Sequence, residues 1–145
     1  GWHMTGCPVN GPAIDARGRD VAVAWFTAPD QPRVRLAFSS DSGRTFSAPV
    51  EVAAGAVAGR VDVALLDDGR AVVSWLADGP GGAAFVAQPF ARDGTVAGPP
   101  VLIARSSIQR ASGFPQMVRS GDRLVFAWTQ AGEPPSLRTA VARLR

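Results

Sequence analysis

Arginine is the side chain through which this sequence would do chemistry. All fifteen basic residues are Arg, and two of them, Arg60 and Arg110, stand just ahead of strand-like apolar runs. A guanidinium presents paired N–H donors that match a carboxylate, so both are candidates for holding an acidic ligand. Asn10, Asp62 and Gln116 lie close to the same kind of boundary and complete the set of candidate ligand-binding residues. The alternative is that the two arginines are solvated loop residues, or that Arg60 pairs with Asp62. Nucleophilic chemistry is poorly supplied. The chain has no Tyr and only two Glu; Glu51 follows a surface-strand pattern and Glu133 sits in a Gly/Pro loop. No catalytic residue is assigned.

A second group lies at the start of the chain, where Gly1-Trp2-His3 precedes Met4 and Cys7. A free α-amine, two amide nitrogens and a His in third position can form a square-planar copper or nickel site, provided that Gly1 is the mature end. Otherwise Cys7-Pro8 begins an inner strand and packs as a small hydrophobe, or Cys7 pairs with a cysteine upstream. One Cys and one His cannot close a zinc site. No metal or cofactor is therefore expected.

The elements that must position these residues are strands. At 145 residues and 46% hydrophobic content the chain is long enough for one domain with its own core. The net charge is +3, with a pI near 10.9. The arginines are scattered singly, as on a solvated surface encoded by a GC-rich genome, so no nucleic-acid partner is expected. No window reaches the ~18 apolar residues of a membrane-spanning helix, and the first residues lack the layout of a signal peptide, which leaves the compartment unread.

Three segments align without a gap: Pro12 to Trp25, Asp62 to Trp75 and Pro115 to Trp128. Each has an apolar run, a Gly-bearing turn, a second apolar run and a Trp, and the Trp residues are 50 and 53 residues apart. That is the period of one four-stranded propeller blade. The second run of each repeat is apolar on both faces, as in Val21, Val23 and Trp25 against Ala22, Ala24 and Phe26. A strand of that kind must be covered on both sides, which makes Trp25, Trp75 and Trp128 wedges between blades. Third and fourth strands are expected at 33–38 and 48–52, then at 83–89 and 101–104; the third repeat has 137–143 and no fourth strand. The expected blades are 8–53, 60–104 and 113–145, one partial propeller of eleven strands over 1–145.

Between the third and fourth strands of the first repeat lies Ser39-Ser40-Asp41-Ser42-Gly43-Arg44-Thr45-Phe46. Asp41 can accept backbone N–H groups as in an Asx turn, Gly43 supplies a positive φ, Thr45 re-enters a strand and Phe46 turns into the core. Arg92-Asp93-Gly94-Thr95-Val96 is a worn counterpart in the second repeat. The spacing Ser-x-Asp-x-Gly-x-Thr-Phe resembles the Asp box, or bacterial neuraminidase repeat, of the sialidase-type β-propellers. In that family Ser39, Asp41, Gly43, Thr45 and Phe46 would be structural, on the outer hairpin of a blade away from the ligand face.

The resemblance implies a six-bladed ring of which this chain is half. The other half would be supplied by more of the same protein, of which this chain would be the C-terminal part, or by a second copy. It further implies an acidic sugar as ligand, an extracytoplasmic setting and a bacterial source. The family's catalytic set is a Tyr nucleophile with a neighbouring Glu, an Asp acid/base and an arginine triad. With no Tyr here, the expectation is a non-catalytic scaffold or carbohydrate-binding module, the alternative being the C-terminal half of an exo-α-sialidase-like hydrolase whose catalytic groups lie mostly elsewhere.

Overall fold

The computed structural model describes residues 10–144. His3, Met4 and Cys7 lie outside them. The described chain is all β apart from one 3-10 turn, Arg110–Ser112. The strands are β1 (Ala13–Arg17), β2 (Asp20–Thr27), β3 (Arg33–Ser39), β4 (Val50–Ala54), β5 (Val57–Leu65), β6 (Ala71–Gly79), β7 (Gly82–Phe90), β8 (Val101–Ser106), β9 (Gln116–Ser120), β10 (Arg123–Gln130) and β11 (Ser136–Arg143). They form three antiparallel meanders, β1-β2-β3-β4, β5-β6-β7-β8 and β9-β10-β11. The third sheet has no fourth strand among the described residues.

The hairpins opening sheets one and three turn through two residues, Gly18-Arg19 and Gly121-Asp122. Each glycine is at φ +60°, the mirror-image turn whose twist suits paired strands. Sheet two uses a longer turn, closed by Leu66 N–H to the Arg70 carbonyl at 2.7 Å with Gly69 at φ +83°. That turn displaces the register from the gapless alignment. Asp62 lies opposite Ser74, as Ala13 lies opposite Ala24 and Gln116 opposite Ala127. Asp62 and Gln116 are thus structural equivalents, and Asp62 is not level with Pro12.

Two cores fill the gaps between sheets. Ala22, Ala24, Val34 and Leu36 of sheet one meet Val63, Leu65, Val73 and Trp75 of sheet two. Ala64, Val72, Leu76 and Phe85 of sheet two meet Met117, Leu124, Phe126 and Trp128 of sheet three. Phe85 packs edge-on to Phe126 at 5.9 Å and lies 6.2 Å from Trp128, the arrangement favoured by ring quadrupoles. Trp75 and Trp128 each face the preceding sheet. Trp75 is 5% exposed and Trp128 8%, whereas Trp25, with no described sheet before it, is half-buried. At the other end the outer face of sheet three leaves Val118, Leu137 and Val141 exposed.

The turn after β3 is a closed knot. Ser39 Oγ donates to Asp41 Oδ1 at 2.8 Å and accepts the Gly43 N–H at 3.0 Å. Asp41 then accepts the Thr45 N–H at 2.9 Å and the Thr45 hydroxyl at 2.7 Å. These bonds, the Thr45 hydroxyl foremost, hold the Asp41 carboxyl down at about 2. Gly43 has the expected positive φ, +80°. Two expectations fail. Thr45 does not re-enter a strand, since β4 starts only at Val50, and Phe46 is 44% exposed rather than in the core. Its ring lies across Gly43, where a Cβ would come within 3.9 Å of it; Ser47 N–H, bonded to the Phe38 carbonyl at 2.8 Å, holds the chain outside the inter-sheet gap.

Candidate functional site

The innermost strands β1, β5 and β9 line a cleft of about 430 Å3 that includes Asp15, Asp62, Gln116, Arg17 and Arg119. Adjacent sheets diverge here and cannot share a ladder, so carboxylates bridge them. Asp15 accepts the Leu65 N–H at 2.7 Å, and Asp62 the Met117 N–H at 2.6 Å. The second oxygen of each accepts the N–H of its own following residue, Ala16 or Val63, at 2.8 Å. Burial raises the Asp62 pKa above the usual carboxylate value, opposed by its two N–H donors and reinforced by the charge of Asp15. At one end of the cleft Asp67 takes Arg17 from sheet one at 2.6 Å and both terminal nitrogens of Arg119 from sheet three. The Arg119 hydrogen bonds depress the Asp67 carboxyl, so one aspartate ties three sheets together.

The opposite end is built from the segments leading into β5 and β9. The sequence puts Arg60 just ahead of its strand, but β5 already begins at Val57 and Arg60 sits in a bulge of that strand. Gly59 at φ +85° and Arg60 at φ +52° form the bulge. Asn10 fills it: Asn10 Oδ1 accepts the Arg60 N–H at 2.8 Å, and Asn10 Nδ2 donates to the Ala58 carbonyl at 3.3 Å. The Arg60 side chain crosses to the next connection and donates to the carbonyls of Ser107, Ile108 and Gln109 at 3.3, 2.8 and 2.9 Å. Its guanidinium lies 5.7 Å from the centre of the Phe114 ring, within cation–π range. Arg60 does not pair with Asp62, which bonds backbone instead.

Arg60, Ile108, Arg110 and Phe114 bound a second hollow of about 190 Å3. It adjoins the axial cleft, because Arg60 and Asp62 are two residues apart on β5 and Phe114 and Gln116 are two apart on the way into β9. Asp62 and Gln116 line the axial cleft, and Arg60 and Arg110 bound the smaller hollow at its mouth, with Asn10 bonded to the Arg60 backbone. Within the group Asn10, Arg60 and Asp62 are engaged in ties between sheets, while Arg110 and Gln116 are exposed. Phe114, 52% exposed, is absent from the candidates read from sequence. Its signal was local: a large aromatic between Gly113 and Pro115, in a loop where nothing of the repeat requires one.

No protein-family model matches the chain, and no curated protein matches it in sequence. Solved structures do match in fold. A xylan β-1,4-xylosidase from Bacillus halodurans C-125 superposes with TM-score 0.63 at 11% identity, over 90% of this chain and 27% of that one. The GH43 BlXynB protein from Bacillus licheniformis gives 0.60 at 17%, over 90% and 27%. A thermostable family-43 glycoside hydrolase gives 0.59 at 14%, over 90% and 49%. The fold is that of a partial β-propeller. At these identities the likeness is one of fold, and the chain spans between a quarter and a half of the structures it matches. Seen as a propeller, the three meanders are blades, β1, β5 and β9 line the axis, and the mouth around Phe114 opens on the face reached by the connections between blades.

Proposed function

We propose that this chain is the saccharide-binding segment of a larger propeller, and that its ligand is a sugar bearing a carboxylate. The observation that carries the reading is the Phe114 ring, held from one side by the Arg60 guanidinium and exposed at the mouth of the axial cleft beside Arg110. An aromatic face takes the apolar face of a sugar ring, and a free guanidinium takes a carboxylate. The Ser39–Phe46 knot supports a sialidase-type propeller of six blades, with the remaining blades supplied by more of the same protein or by a second copy. The exposed face of Val118, Leu137 and Val141 and the half-buried Trp25 suit such closure, since each matches a face that is covered between the described blades.

A second reading, a segment of a glycoside hydrolase, is favoured by the raised pKa of Asp62 inside the cleft and by neighbours described as xylosidases and GH43 proteins. The test is an equilibrium titration of free sialic acid, alongside an assay with a fluorogenic sialoside. Binding that is lost in Phe114→Ala and Arg110→Ala, without turnover, supports the binding module. Turnover that vanishes in Asp62→Asn supports the hydrolase, and wild-type affinity in both mouth variants overturns the first reading.

A further inference from the structure

Another hollow, on the far side of the blades from the mouth, has features of a ligand site that neither the fold nor the mouth requires. It is a cleft of about 360 Å3 between the turn after β3 in blade one and Arg92 in the β7–β8 turn of blade two, and its walls include Phe46, Ser40, Thr45 and Ser47. Its volume falls within the range of small-molecule sites.

Three features give the hollow a direction. The Phe46 ring is exposed yet seated on Gly43, so an aromatic platform is held in place without belonging to either core. The turn beneath it is fixed by the Ser39–Asp41–Thr45 hydrogen bonds, which leaves little conformational entropy to lose on binding. The polar groups are of two kinds. Ser39 and Asp41 are consumed by the knot, whereas the exposed Ser40 hydroxyl makes no hydrogen bond among the described residues. Arg92 uses one terminal nitrogen on Asp20 of blade one and retains its other donors. The pairing with Asp20 offsets the positive charge, so the hollow offers hydrogen bonds without net attraction for an anion.

We infer that this hollow binds a neutral saccharide, its ring stacked on Phe46 and its hydroxyls bonded by Ser40 and Arg92. The site is separate from the mouth in position and in charge preference. Saturation-transfer difference NMR of the 145-residue chain with cellotriose as probe tests it. Transfer to the sugar is expected in the wild type, reduced at least fivefold in Phe46→Ala and in Arg92→Met, and retained in Phe114→Ala. Circular dichroism checks that the Phe46 variant keeps its fold, which its exposure predicts. No transfer in the wild type overturns the inference, as does transfer unchanged by the Phe46 and Arg92 variants. Transfer lost only in Phe114→Ala also overturns it, by placing the sugar at the mouth.

Discussion

Asp62 on β5 accepts the backbone N–H of Met117 on β9 at 2.6 Å, and this bond joins the innermost strands of two blades that share no ladder. Asp62→Ala leaves a buried N–H without its acceptor, at a cost of about 1–3 kcal/mol. Chemical denaturation should show that loss, and amide exchange at Met117 should accelerate beyond its neighbours on β9. Unaltered exchange at Met117 would mean that the bond does not hold the blades.

The three repeat tryptophans should differ in worth. Trp75 is wedged between blades one and two and Trp128 between blades two and three, so Trp75→Ala or Trp128→Ala should cost about 3–5 kcal/mol, as large core truncations do. Trp25→Ala should cost clearly less in this chain, because no described sheet covers it. Equal losses at all three positions would contradict the assignment of faces.

The pH dependence has a defined sign. Asp41 has a folded pKa of about 2, below the ordinary aspartate value of 3.8, so its hydrogen bonds stabilise the fold fully above 3.8 and that contribution is lost as pH falls through 2. Asp93, depressed by the Thr95 N–H and hydroxyl, acts in the same direction. Asp62, raised by burial, acts in the opposite one: its contribution is complete below 3.8 and is lost as pH rises through its folded value. Melting temperatures of wild type and Asp41→Asn measured from pH 5 to pH 2 should converge on acidification. A constant gap would exclude the carboxylate as the source.

Gly94 is a steric checkpoint between blades. It is at φ +86°, and a Cβ there would lie 2.5 Å from Val50 Cγ1 on β4 of the preceding blade. Gly94→Ala should therefore destabilise by about 2 kcal/mol, the left-handed strain of ~1–2 kcal/mol plus the clash with a stiff side chain. Gly94→Ala combined with Val50→Ala should recover the steric part. If the pair is no better than the single change, the contact is not the cause.

The blades were legible because their signal is repeated: strands apolar on both faces, Gly turns and a Trp at fixed spacing leave little choice of period. The register of blade two was not legible, since one additional residue in the Leu66–Arg70 turn shifts Asp62 without altering composition. The mouth was half legible. Loop position put Arg60, Arg110, Asp62 and Gln116 together, but side-chain direction decides whether an arginine meets a ligand or a carbonyl. The carbonyls of 107–109 that capture Arg60 belong to the connection between blades two and three, 47 to 49 residues away. Phe46 read as core because it follows a turn into an apolar run, and only the Ser47–Phe38 bond reveals that the chain remains outside.

A carboxylated sugar seated on Phe114 would perturb the ring itself, which 19F NMR of the chain labelled with fluorophenylalanine reads. The Phe114 resonance, assigned by its disappearance in Phe114→Leu, should shift saturably on titration with free sialic acid, while that of Phe46 stays in place. Arg110→Ala should abolish the shift. A Phe114 resonance that does not move at saturating sialic acid, or that moves equally in Arg110→Ala, would contradict the claim.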